Sequence, residues 1–151
     1  MLKNQGDQQI DAVSQTWHEV CVSLGMTAQK TKILLVDDDS GVLEALGRAL
    51  ASENYEIVAA CNSGEALSGF VENKIDVALL DMNLGAESGW DVSQRLTDLK
   101  PHLPILLMTG TPDCPSSMSG VTCLEKPLDF RCLLQKLSAI CATNPEPVIS
   151  Q

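Results

Sequence analysis

No stretch of this 151-residue chain gathers lysine and arginine; ten basic side chains are scattered against twenty acidic ones, for a formal net charge of -10. Nucleic-acid phosphates are held through clustered cations, so no nucleic acid is expected as a partner, and anionic membranes are disfavoured too. The six cysteines (Cys21, Cys61, Cys114, Cys123, Cys132 and Cys141) include no C-x-x-C pair, so no zinc site is expected. Several fall inside apolar runs and read as free thiols, packed as small hydrophobes in a reducing cytosol. No apolar run approaches the ~20 residues of a membrane span, and the polar start of the chain has no signal-peptide core. A glycine-rich loop after the first strand-like run is also missing, which argues against a nucleotide-binding domain. The expectation is a cytoplasmic protein with no membrane partner.

From residue 32 onward strand-like and helix-like segments alternate, the pattern of an α/β fold built on a parallel sheet. KILLV (32–36), YEIVAA (55–60), IDVALL (75–80), PILLM (104–108) and VTCL (121–124) read as five strands. IDVALL shows no alternation, as a central strand covered on both faces should not. Four helices are expected from their caps and apolar spacing. The first runs from Ser40 to about Asn54 with Leu43, Leu46 and Leu50 on one face. The second follows a cap at Asn62 or Ser63, with the stripe Ala66, Leu67, Phe70 and Val71. The third starts from a cap at Ser88, turns Val92, Leu96 and Leu99 inward, and stops at Lys100-Pro101. The last spans about Leu128 to Ala142 and buries Leu133, Leu134, Leu137, Ile140 and Cys141.

Two loops stand out. MNLGAESG, after the third strand, is too rich in turn residues to extend either neighbour. GTPDCPSSMSG at 110–120 holds two prolines, two glycines and three serines, so the crossover helix there is expected to be reduced or missing. Residues 1–31 lie outside the repeating pattern. In them Ile10, Val13, Trp17, Val20 and Leu24 recur at spacings of three and four, which predicts an amphipathic helix over about 7–24 that docks on its own domain or pairs two chains as a homodimer. The tail, 143–151, reads as disordered. The expected organisation is an extension at 1–31, one domain at 32–142, and the tail.

Polar residues recur at the carboxyl ends of the predicted strands: Asp37 and Asp38 after KILLV, Asp81 after IDVALL, Thr109 after PILLM, and Lys126 before Pro127. Singly each has a plain reading, as a loop charge, a helix cap, a turn residue or a surface lysine. Jointly they occupy the side of an open α/β sheet where ligands bind. Carboxylates crowded together repel unless a cation sits among them, and hard oxygen donors suit Mg²⁺. The chemistry this suggests is phosphoryl transfer to a carboxylate.

The order Asp-Asp, Asp, Thr, Lys-Pro, carried by KILLVDDD, VALLDMNLGAESGWD, ILLMTG and CLEKPLD, resembles the receiver domains of two-component response regulators over about residues 32–142. The resemblance implies a flavodoxin-like, doubly wound sheet in strand order 2-1-3-4-5. It implies that Asp81 accepts a phosphoryl group from a histidine kinase or phosphotransfer protein. Asp37, Asp38, Asp81 and the backbone carbonyl of Asn83 would hold Mg²⁺. Thr109 would hydrogen-bond the phosphoryl oxygen, Lys126 would pair with it, and the Lys126–Pro127 peptide would be cis. Asn83 and Thr111 would flank the group and set how fast water removes it. By the same resemblance the chain is not an enzyme beyond autophosphorylation and autodephosphorylation. Two departures fall on the family's usual signalling face: Cys123 stands where an aromatic is common, and Gly85 where a proline is. Two other readings stay open, a receiver-like interaction module that is never phosphorylated and, behind it, a phosphatase of the haloacid dehalogenase type.

Overall fold

The computed structural model describes residues 30–111 and 120–143. The N-terminal helix expected over about 7–24, most of the 110–120 segment with its reduced helix, and the tail beyond 143 lie outside the described residues.

Strands β1 (Lys32–Val36), β2 (Glu56–Ala60), β3 (Val77–Asp81), β6 (Ile105–Thr109) and β7 (Val121–Glu125) form one parallel sheet in the order β2-β1-β3-β6-β7. Counting only these five, the order is 2-1-3-4-5, as expected. Helices α1 (Ser40–Ser52), α2 (Ser63–Glu72), α3 (Gly89–Leu99) and α4 (Phe130–Thr143) connect and cover them. Side chains alternate across a strand, so the register sorts the apolar residues into two cores. Leu34, Val36, Ala78, Leu80, Ile105 and Leu107 pack with Ala66 of α2 and with Val92 and Leu96 of α3. Ile33, Leu35, Val77, Leu79, Leu106 and Met108 pack with Leu50 of α1 and with Leu133 and Leu137 of α4. Both faces of β3 are therefore covered, which is why its run lacks polar alternation.

Local chemistry sets the helix starts. Asp39 caps α1, its Oδ1 accepting from the amides of Gly41 at 2.9 Å and Val42 at 3.4 Å. Asn62 caps α2 through the Glu65 amide at 2.9 Å, while Glu65 reaches back to the Cys61 amide at 2.9 Å, a near relative of the capping box. Ser88 caps α3 through the Trp90 amide at 3.1 Å. Asp129 Oδ1 accepts from Arg131 at 3.0 Å, so α4 begins at Phe130 and not at Leu128. The Lys126–Pro127 peptide is cis, in agreement with the expectation.

Four details depart from the sequence reading. Val71, placed in the apolar stripe of α2, is 73% exposed, because it stands about 140° around the helix from buried Ala66. Leu99, placed inward on α3, is exposed as well; it is the last residue of its helix, and no further turn follows to cover it. Cys123 is disulfide-bonded and not a free thiol; Cys61, Cys132 and Cys141 are free. Such a bond depends on two side chains meeting in space, which spacing along the chain does not reveal. Finally, the loop after β3 contains a miniature antiparallel hairpin, β4 (Asn83–Leu84) with β5 (Glu87–Ser88). Its two-residue turn puts Gly85 at φ +75° in the first central position, the type II′ arrangement that glycine favours. No helix among the described residues is long and apolar enough to cross a membrane.

Candidate functional site

Because β1, β3 and β6 run parallel and end together, residues far apart in sequence converge at one edge of the sheet. Asp81 is the last residue of β3, and Asp37 and Asp38 follow β1 directly. One carboxylate oxygen from each of the three lies within 4.8 Å of the others. Asp37 is 2% exposed and Asp81 5%, whereas Asp38 is open to solvent. Two buried acids and one exposed acid thus share a pocket that faces outward on one side.

The hydrogen bonds hold this arrangement. Asp81 Oδ1 accepts from Lys126 Nζ at 3.0 Å and from the Asn83 amide at 3.2 Å. Asp37 Oδ1 accepts from the Asp39 amide at 2.9 Å, an Asx-type bond that turns the carboxylate at the strand end. The Lys126 amide donates to the Thr109 carbonyl at 2.8 Å, so the end of β6 anchors the backbone that presents the ammonium. Burial pushes the Asp37 carboxyl above its usual range; the Asp39 amide offsets part of this, Asp81 and Asp38 add to it by like-charge repulsion, and Lys126 opposes them. The pocket is therefore short of positive charge. Its donors are hard carboxylate oxygens on an open side, the set that an octahedral, partly hydrated Mg²⁺ takes.

Of the residues singled out from sequence, Asp37, Asp38, Asp81 and Lys126 come together, and Asn83 joins them through its amide. Thr109 is 4% exposed at the end of β6, but its hydroxyl is engaged locally. It donates to the Thr111 carbonyl at 3.1 Å, lies 3.2 Å from the Thr111 hydroxyl, and accepts from the Thr111 amide at 3.1 Å.

Two contributors escaped the sequence reading. Gly89 starts α3 against the backbone of Asp81: a Cβ there would overlap the Asp81 carbonyl oxygen and stand 2.8 Å from its carbon. Only glycine fits that approach; its place after a serine cap was the available signal. Glu87, on the hairpin, bonds to Ser63, and nothing in their separate sequence contexts links them.

A family model for the response regulator receiver domain matches residues 33–138. The transcriptional regulatory protein GlrR of Escherichia coli (strain K12) is 28% identical over 117 residues, which cover 74% of this chain and 26% of that protein. The response regulator MprA of Mycobacterium sp. (strain KMS) is 31% identical over 121 residues, covering 76% of this chain and 53% of that protein. The chain thus spans between a quarter and about half of these relatives. Among solved structures, a response regulator receiver domain protein from Clostridium thermocellum superposes with a TM-score of 0.69 at 28% identity, covering 76% of this chain and 96% of that one. The response regulator TrrA of Thermotoga maritima, solved in complex with Mg²⁺ and BeF, gives 0.66 at 29% identity, covering 73% of this chain and 98% of that one. With the parallel sheet order and the acidic pocket at its edge, these matches show that the chain belongs to the receiver domains of two-component response regulators.

Proposed function

We propose that Asp81 accepts a phosphoryl group from a histidine kinase or a phosphotransfer protein, and that the chain passes the signal on through protein contacts in the cytoplasm. The observation that carries the reading is the pairing of a buried Asp81 with Lys126 at 3.0 Å beside two further carboxylates. In this reading Asp37, Asp38, Asp81 and the Asn83 carbonyl would hold Mg²⁺. The ion supplies charge neutralisation between an anionic nucleophile and an anionic phosphoryl donor.

The chain's own residues do the rest. Lys126 and the Asn83 amide occupy Asp81 Oδ1, so Oδ2 attacks phosphorus. The new bond is an acyl phosphate; the bond broken joins phosphorus to the donor's imidazole nitrogen, which leaves with the electron pair. Lys126 then pairs with the transferred group, and Thr109 turns its hydroxyl from Thr111 to a phosphoryl oxygen. Asn83 and Thr111 flank that group and govern the approach of water. Self-phosphorylation from small donors and slow self-dephosphorylation are the only reactions the site performs unaided.

The test is incubation of the chain with Mg²⁺ and acetyl phosphate, followed by intact mass measurement. An acid-stable, base-labile adduct is expected that EDTA prevents and Asp81→Asn abolishes. An unmodified chain that also fails to bind beryllofluoride would instead mark it as an interaction module.

A further inference from the structure

A second carboxylate, outside the acidic pocket, ties the loop that follows Asp81 to a neighbouring helix. Glu87 stands opposite Leu84 at the open end of the β4–β5 turn. Its side chain leaves the hairpin and grips Ser63, the first residue of α2. Oε1 accepts from the Ser63 hydroxyl at 2.5 Å, and Oε2 accepts from the Ser63 amide at 3.2 Å. That amide is one of the donors a helix start leaves unpaired, and the positive end of the helix favours an anion there. Two charge-assisted bonds from one carboxylate to one residue fix direction as well as distance. Ser63 is buried, 8% exposed, although Glu87 is largely open to solvent. The Ser63 hydroxyl, and after it the amide, hold the Glu87 carboxyl below the usual carboxylate range, so it is an anion at neutral pH.

The other bonds of this hairpin run differently. The Asn83 amide bonds Asp81 Oδ1, the Gly89 amide bonds the Met82 carbonyl at 2.8 Å, and the Gly85 amide bonds Asn83 Oδ1 at 3.2 Å. All three stay within the segment 81–89, which is otherwise tied to the domain by the Met82 amide on the Met108 carbonyl at 2.8 Å and by Leu84, buried in the core. The Glu87–Ser63 clamp instead refers the hairpin to α2, whose Ala66 is fixed in the core beneath it. It is a bond to a rigid body, and the segment it steadies carries Asn83 next to the acceptor.

The geometry points to Glu87, clamped on Ser63, as a positioning residue for the metal side of the Asp81 pocket. It holds the hairpin so that the Asn83 backbone keeps its place beside Asp81. The inference rests on the Mg²⁺ reading given above and assigns a role to two residues outside that donor set. Releasing the clamp lets the hairpin sample orientations in which Asn83 leaves the pocket, and Mg²⁺ then binds only the fraction that keeps it.

The experiment is calorimetric titration of the full chain with Mg²⁺, alongside amide hydrogen exchange of residues 83–88 without metal. Glu87→Ala and Ser63→Ala should each weaken Mg²⁺ by about tenfold, the lower end of what outer partners of a metal site contribute. The double variant should be no weaker than either single one, since both remove the same clamp. Ser63→Thr, which keeps the hydroxyl, should retain wild-type affinity, and Glu87→Gln should fall between. Exchange at 83–88 should quicken in Glu87→Ala, and phosphorylation by acetyl phosphate should return to the wild-type rate at saturating Mg²⁺. Wild-type Mg²⁺ affinity in both alanine variants would overturn the inference, as would a lowered Tm with unchanged affinity. If Glu87→Ala does not fold, Ser63→Ala and Glu87→Gln decide it. A wild-type chain that binds no Mg²⁺ removes the metal reading and this inference together; if the wild type binds, Asp38→Ala does not and the clamp variants match wild type, the inference alone falls.

Discussion

Lys126 Nζ lies 3.0 Å from Asp81 Oδ1, with the lysine side chain 41% exposed and the aspartate 7%. The pair is thus asymmetric: a buried carboxylate is met by an ammonium that enters from solvent. Its backbone is held at the other end by the Thr109 carbonyl, so the ammonium is presented from a fixed root.

Replacing Lys126 by Met should separate two effects. Fold stability should fall by only about 1 kcal/mol, because a half-exposed pair is screened and the remaining acids can protonate or take a cation. Phosphorylation by acetyl phosphate should slow by about a hundredfold, the scale expected when one charge-stabilising donor is lost. Equilibrium unfolding in urea and the time course of the mass adduct measure the two separately.

Asp37 contributes a pH dependence opposite in sign to that of Glu65 and Glu87, whose carboxyls are held below the usual range by their hydrogen bonds. Its carboxyl is raised in the folded state, by burial first and then by Asp81 and Asp38, so between pH 3.8 and the raised value the folded chain binds more protons than the unfolded one. The Asp37 contribution to stability then falls as pH rises through that window, the reverse of a paired aspartate, and its penalty is complete above the raised value. In metal-free buffer at pH 7, Asp37→Asn should raise Tm by a few degrees, about what 0.5–1 kcal/mol produces in a domain of this size. The gain should vanish as pH falls toward 3.8. Added Mg²⁺ should invert the comparison, stabilising the wild type more than the variant; thermal melts with Mg²⁺ and with EDTA check both signs.

Gly89 and Gly110 should behave oppositely toward alanine. A Cβ at Gly89 meets the Asp81 carbonyl and stands 3.0 Å from the Met82 Cα, and backbone cannot swing aside as a side-chain end can. Gly89→Ala should cost about 1–3 kcal/mol and depress phosphorylation by displacing the acceptor. At Gly110 a Cβ meets nothing within 4 Å, so Gly110→Ala should change stability by no more than about 0.5 kcal/mol. Parallel chemical denaturation curves decide this.

Thr109 is tested by its hydroxyl alone. Thr109→Val removes the acceptor of the Thr111 amide and the donor intended for the phosphoryl group, while Thr109→Ser keeps both. Beryllofluoride binding in the presence of Mg²⁺ should weaken about tenfold in the valine variant and stay near wild type in the serine variant, as expected for one hydrogen bond to a charged group.

Much of this architecture was legible in one dimension because its causes are local. Buried strands announce themselves as unbroken apolar runs, and side-chain oxygens at Asn62 and Ser88 mark helix starts. Asp37, Asp38, Asp81 and Lys126 were readable because the ends of neighbouring parallel strands lie side by side, so a polar residue after each run already implies a shared pocket. The inward placement of Val71 failed because that residue stands about 140° around α2 from buried Ala66, and that of Leu99 because periodicity assigns a direction around a helix but not whether anything lies there to cover it.

What the order of residues determined by itself was the layering, the strand positions and the carboxylates at one sheet edge, since these follow from periodicity and from chain direction. Tertiary structure alone decided the reach of Glu87 to Ser63, the close approach of Gly89 to Asp81, the local engagement of the Thr109 hydroxyl, and the disulfide at Cys123. Each depends on distances of a few ångströms between groups whose separation in sequence carries no information about them. For Asp81 that means its proposed role as acceptor was readable from its position, while the Glu87–Ser63 bonds beside it exist only once α2 and the hairpin have folded against each other.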